Sequence, residues 1–198
     1  MLDNLRADTR RLLVIKSKPF PWYVLESLLF ETGYQAVVLH RIAHWFKSHG
    51  VPALGPAVAR CNQFLTGVDI GPAAQIGPGL LIVHGQGIVV GGHARIGRNA
   101  TLLQQVTIGS PSPDHRERMP VIGDDVFLGA GAKLIGAITV GDGSLIGVNA
   151  VVTQDVPAGS RVVVRGGLDV SPRRDAPAAA AEGSLAPAAS NSADKQAP

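Results

Sequence analysis

A chain of 198 residues with 45% apolar composition has room for one globular core plus appendages. Its net charge of +3 is spread among apolar positions and accompanied by only 5% aromatic residues, which argues against a nucleic-acid-binding module. The lone cysteine, Cys61, precludes an internal disulfide or a cysteine-rich zinc site and fits a reducing cytoplasm; no apolar run approaches the ~20 residues of a membrane-spanning helix, so no membrane partner is expected.

The opening stretch "MLDNLRADTRRLLVIKSK" has no signal-peptide apolar region, and its alternating basic residues read as a solvated helix face. From Trp22 to about Thr66 apolar residues recur every three to four positions, with breaks at Gly33 and at Gly50 to Pro52, which predicts two or three amphipathic helices. Residues 1–66 are therefore expected to form an α-helical N-terminal domain. From 67 to 168 the period changes to six. Aliphatic residues stand at Ile70, Ile76 and Ile82, then after two extra residues at Val90, Ile96, Leu102 and Ile108, and after an insertion at Ile122, Leu128, Leu134, Val140, Ile146 and Val152. Four residues after such positions come small or β-branched ones, among them Ala74, Ala100, Val106, Val126, Ala132, Ser144 and Ala150. A six-residue period fits neither a helix nor a hairpin meander, but it fits a solenoid of very short strands and tight turns. Three hexads closing each triangular coil give roughly four coils, a prism about 20 Å tall at ~4.8 Å between strands. Periodicity is silent on handedness, although right-handed crossovers are the general rule. The stretch Gly109 to Val121, polar and proline-rich, should leave the prism as a loop. Residues 169–198, mostly Ala, Pro and Ser, are expected to be a disordered tail.

Within the repeats, "IVHGQGIVVGG" places His84 at the third position of its hexad, near a corner and pointing outward. Two readings stay open. A lone histidine is often a satisfied structural residue, yet Gly85 and Gly87 allow close approach to the backbone, and a near-neutral imidazole suits removal of a hydroxyl proton. Asp69, fifteen residues earlier and so close to one coil below, is either a turn-capping aspartate or a carboxylate that fixes the imidazole tautomer.

The pattern aliphatic-Gly-x-x-small-x resembles the hexapeptide-repeat acyltransferases. The segments "HRIAHW", "VDIGPAAQIGPG", "HGQGIVVGG", "LLQQVTIG" and "IGDDVFLGAGAKLIG" are similar to those of serine O-acetyltransferases, over about Tyr34 to Pro157. The resemblance implies a mainly β fold, a left-handed parallel β-helix behind a helical N-terminal segment, and an acyltransferase of cysteine biosynthesis. It implies acetyl-CoA as cosubstrate, no metal, a small-molecule hydroxyl acceptor and a homotrimer or dimer of trimers. By the same resemblance His84 is the general base, Asp69 orients it, Gly109 lies near the thioester, and Ala130 and Val148 offer backbone to the pantetheine arm. Lys133 is either a partner for a CoA phosphate or a solvated lysine.

The chain departs from the family at several positions. The family carries "RHP" where this chain has Arg118, Met119 and Pro120, and aspartate where it has Val83. Arg118 keeps the capacity to bind an acidic group of the acceptor. Valine and methionine cannot hold the polar groups of a small zwitterion, so the acceptor is serine by family, or else a saccharide or other metabolite hydroxyl. Sugar-acetylating relatives of the colanic-acid type share a leader like "MLDNLRA". The terminal "QAP" lacks the isoleucine with which serine acetyltransferases dock into cysteine synthase, so that complex is not expected; "VVVRGGLDVSP" lacks the proline of the family's "GxPA" element against CoA, so the resemblance does not define the adenine end of the cofactor site. A different chemistry, a zinc β-helix hydratase using His84, His93 and His115, requires a clustered ligand spacing that the sequence does not show.

Overall fold

The computed structural model describes residues 1–17 and 22–164, which form one compact unit. The expected tail at 169–198, the last predicted β-helix residues at 165–168 and the linker at 18–21 lie outside the described residues. Four helices come first: α1 (Leu2–Lys16), α2 (Trp22–Phe30), α3 (Thr32–Ser48) and α4 (Leu54–Thr66). Among the described residues none is long and apolar enough to cross a membrane.

The hexads build a three-sided coil of strands two or three residues long. One face stacks Asp69–Ile70, Val89–Val90, Thr107–Gly109, Lys133–Ile135 and Val151–Val152, all parallel. The second stacks Gln75–Ile76, Arg95–Ile96, Val121–Ile122 and Thr139–Val140, and the third Leu81–Ile82, Thr101–Leu102, Phe127–Leu128, Leu145–Ile146 and Arg161–Val162. Every aliphatic position of the six-residue series is buried, and so are the small positions from Ala74 to Ala150, which form the inner lining of the corners. One core therefore runs the length of the prism, because each inward side chain meets its equivalent a coil away.

Register shows where the coil departs from its repeat. Val89 pairs with Thr107 and Val121 with Thr139, a full turn of eighteen residues. The first turn, Asp69 to Val89, holds twenty, and the extra pair falls in the corner that carries His84. The third, Thr107 to Lys133, holds twenty-six, because residues 110–120 leave the prism between its first and second faces as the predicted loop.

The helices correct two expectations. The break near Gly33 falls at Glu31 instead, and Gly33 sits buried in the first turn of α3. A Cβ there would lie 2.0 Å from the Ile82 carbonyl oxygen, so glycine is what lets α3 touch the strand leading to His84. Nor is α1 merely a solvated face. Asp8 is buried, and its Oδ1 accepts from the backbone N–H groups of Gly79 (2.7 Å) and Leu80 (2.8 Å) while Oδ2 accepts from Arg41 Nε at 2.9 Å. Arg41 also donates to the carbonyls of Ile76 and Gly77, and Arg11 to those of Gly79 and Ala100. Three helical side chains thus bind the backbone of the corner between the second and third faces, supplying partners for the Gly79 and Leu80 N–H groups among others.

Candidate active site

His84 stands exposed in the widened corner between the third face and the first. The corner is fastened at both ends. The Val83 N–H donates to Leu102, Gly87 N–H to the Gly67 carbonyl at 3.0 Å, and Gln86 Nε2 to the Thr66 carbonyl at 3.3 Å. The segment carrying His84 therefore lies against the α4 terminus and the residues immediately before Asp69. Gly85 fits there because a Cβ would lie 2.8 Å from Val68 Cγ2.

Asp69 is half-buried, with its backbone N–H on the Ile88 carbonyl at 2.9 Å. Its Oδ2 accepts from Gln63 Nε2 on the last turn of α4 at 3.4 Å. Among the described residues no hydrogen bond joins Asp69 to His84, whose ring nitrogens have no protein partner. The structure brings the two residues to one corner and leaves the imidazole free. Gln63 escaped the sequence reading, since a polar residue on an amphipathic helix carries no mark distinguishing it from a solvated one.

Ala130 and Val148 lie on the same edge as His84, two and three coils further along. Backbone bonds connect that edge from coil to coil: Gln105 N–H to Gln86, Gly131 N–H to Gln104, Asn149 N–H to Ala130. At ~4.8 Å per coil the line from His84 to Val148 is about 14 Å long. Ala130 and Val148 themselves carry no polar side chain that would compete for their backbone groups. Lys133 donates its ammonium to the Gln105 carbonyl, so it has a protein partner.

Gly109 and Arg118 belong to the next edge. Gly109 ends its strand and accepts from Gly136 N–H at 2.9 Å. Arg118 is exposed on the loop. Met119 packs against the core and folds over Gly91, where a Cβ would meet its Cε at 2.4 Å. Beneath that side chain lies a polar cleft of about 270 Å³ lined by Gln75, His93, Arg95 and Glu117 among others. His84, His93 and His115 are dispersed over a corner, the next corner and the loop, and among the described residues no group of three or more His, Cys, Asp and Glu is arranged to hold a metal ion.

Residues 119–154 match the bacterial transferase hexapeptide (six repeats) family. A serine acetyltransferase of Synechococcus elongatus is 36% identical over 179 residues, 87% of this chain and 72% of the relative. A crystal structure of Neisseria gonorrhoeae serine acetyltransferase in complex with serine superposes with a TM-score of 0.73 at 34% identity, covering 82% of this chain and 66% of that one. The Brucella abortus serine acetyltransferase in complex with coenzyme A gives 0.70 at 33%, covering 78% and 61%, so the chain spans somewhat under two thirds of these solved chains. The coil is accordingly the left-handed parallel β-helix of these acyltransferases, and the chain belongs to the serine acetyltransferase family.

Proposed function

We propose that this protein transfers an acetyl group from acetyl-CoA to the hydroxyl of a small acceptor, with His84 as general base. The observation that carries the reading is the placement of His84, in a corner widened by two residues and on the edge that also presents Ala130 and Val148. The imidazole takes the acceptor's hydroxyl proton as the oxygen attacks the thioester carbonyl. Backbone N–H groups stabilise the tetrahedral oxyanion, which collapses with cleavage of the C–S bond, and the imidazolium returns its proton to the departing CoA thiolate. Asp69 orients the ring. The pantetheine arm follows the edge past Ala130 to Val148, with Gly109 near the thioester.

Arg118 and His84 occupy different edges of one prism, so Arg118 reaches an acceptor at His84 across a subunit seam. That placement supports a homotrimer, alone or paired into a dimer of trimers. The exposed Cys61 suits a reducing, cytoplasmic location.

Serine is the acceptor that family membership favours, and its acetylation would serve cysteine biosynthesis. A second reading rests on Val83 and Met119. Val83 presents a bare aliphatic surface beside His84, and Met119 fills the space over Gly91, so neither supplies an ion pair or strong hydrogen bond for an amino acid's charged groups. This favours a saccharide or other metabolite hydroxyl. CoA release measured with L-serine and with a panel of saccharides decides between them. Saturable turnover of serine at low millimolar concentration establishes serine; turnover confined to saccharides establishes the second reading; release above hydrolysis with none of them overturns neither the base nor the fold but moves the acceptor outside both classes.

A further inference from the structure

Asp69 has one neighbour that no role of the family explains. Gln63 stands on the last turn of α4, where its own carbonyl caps the helix by accepting from Gly67 N–H at 3.0 Å. Its side-chain amide lies between a cation and a carboxylate. Arg60, one turn earlier, donates from Nη1 to Gln63 Oε1 at 2.5 Å, and Gln63 Nε2 donates to Asp69 Oδ2 at 3.4 Å.

The chemistry allows the amide only this orientation. A guanidinium has donors and no acceptor, so the atom facing it must be oxygen; a carboxylate accepts only, so the atom facing it must be the NH2. Both ends of the relay agree. We infer that Arg60 and Gln63 are positioning residues for the acetyl transfer: they hold Asp69 by Oδ2 and leave Oδ1 to receive the ring N–H of His84. The inference rests on the reading of His84 and Asp69 as base and orienting carboxylate.

The relay joins the helical segment to the chemistry. The Asp69 backbone is fixed by the strand ladder, but its carboxylate can still rotate about two bonds, and the Gln63 amide removes part of that freedom. Arg60 in turn keeps the amide from flipping. Both residues lie on the outer side of α4 and away from the apolar interior, so replacing them leaves the core untouched.

The test compares steady-state kinetics of the full chain for Gln63→Leu, Arg60→Met and Arg60→Lys, with His84→Asn as reference, using acetyl-CoA and the best acceptor of the panel. Gln63→Leu should lower kcat about two- to fivefold, the effect of one long hydrogen bond, at unchanged KM for acetyl-CoA and unchanged melting temperature. Arg60→Met should lower kcat by less, and Arg60→Lys, which still donates to Gln63, should restore it. Wild-type kcat in Gln63→Leu while His84→Asn is inactive overturns the relay alone. Full turnover in His84→Asn overturns the underlying reading of the site, and with it the relay. A fall in kcat accompanied by a matching fall in melting temperature assigns Gln63 a structural role and also overturns the inference.

Discussion

Among the described residues, His40 is a buried polar side chain whose ring nitrogens find no hydrogen-bond partner. It stands on α3 beside the Arg41 guanidinium and the His44 ring. Burial above all, and then those two neighbours, push its pKa down from the ordinary 6.5 to about 3. The unfolded chain therefore binds a proton that the folded one refuses. The stability that neutral His40 permits is complete above pH 6.5 and is lost as pH falls from there toward 3, at up to about 1.4 kcal/mol per pH unit. Thermal melting between pH 7 and pH 4 should show a decline that His40→Leu flattens; an identical decline in both proteins would place the acid sensitivity elsewhere. His84, by contrast with buried His40, is exposed at its corner, as the proposed function requires of a base that meets solvent-borne acceptors.

At the scale of elements, the helices are held to the β-helix by a few polar clamps and one missing Cβ. Asp8→Ala would leave the Arg41 guanidinium buried with carbonyl partners but no counter-charge, a loss of roughly 3–5 kcal/mol, read as a drop in the denaturation midpoint. Gly33→Ala forces α3 off the Ile82 carbonyl, at a cost of about 1–3 kcal/mol or more, and shifts the strand that leads into the His84 corner. Activity should fall along with stability in Gly33→Ala; retention of both would mean that α3 does not brace that corner. These contacts also mark the limit of what the sequence discloses. The β-helix was legible because each coil repeats the same inward contact, so Ile122 to Val152 declared its period five times over. The widened corner was legible as two surplus residues, and the loop as a lapse in the period. The clamps were not, because Asp8, Arg11 and Arg41 meet backbone more than thirty residues away and nothing near them in the chain marks a buried charge. Gln63 stayed hidden for a different reason: Asp69 is only six residues on, but the turn from α4 into the first strand decides that the two side chains meet, and a polar residue on an amphipathic helix carries no mark of it.

For the molecule as a whole, the prism exposes valine and phenylalanine on its outer faces and edges, including Val89, Val121, Phe127, Val148 and Val151, a surface suited to packing against further prisms. Light scattering during size exclusion should return three or six times the chain mass, and a fully active monomer would contradict a site completed across a seam. In the proposed assembly the loop that carries Arg118 and Met119 would face another subunit's edge, so under the proposed function acceptor choice would belong to the assembly and acetyl transfer to the His84 edge. The most direct test is kcat/KM for acetyl-CoA in His84→Asn against the wild type, with oligomeric mass and melting temperature recorded alongside. The account predicts a loss of about 10²- to 10⁴-fold in an otherwise intact assembly; a value within twofold of wild type would contradict it.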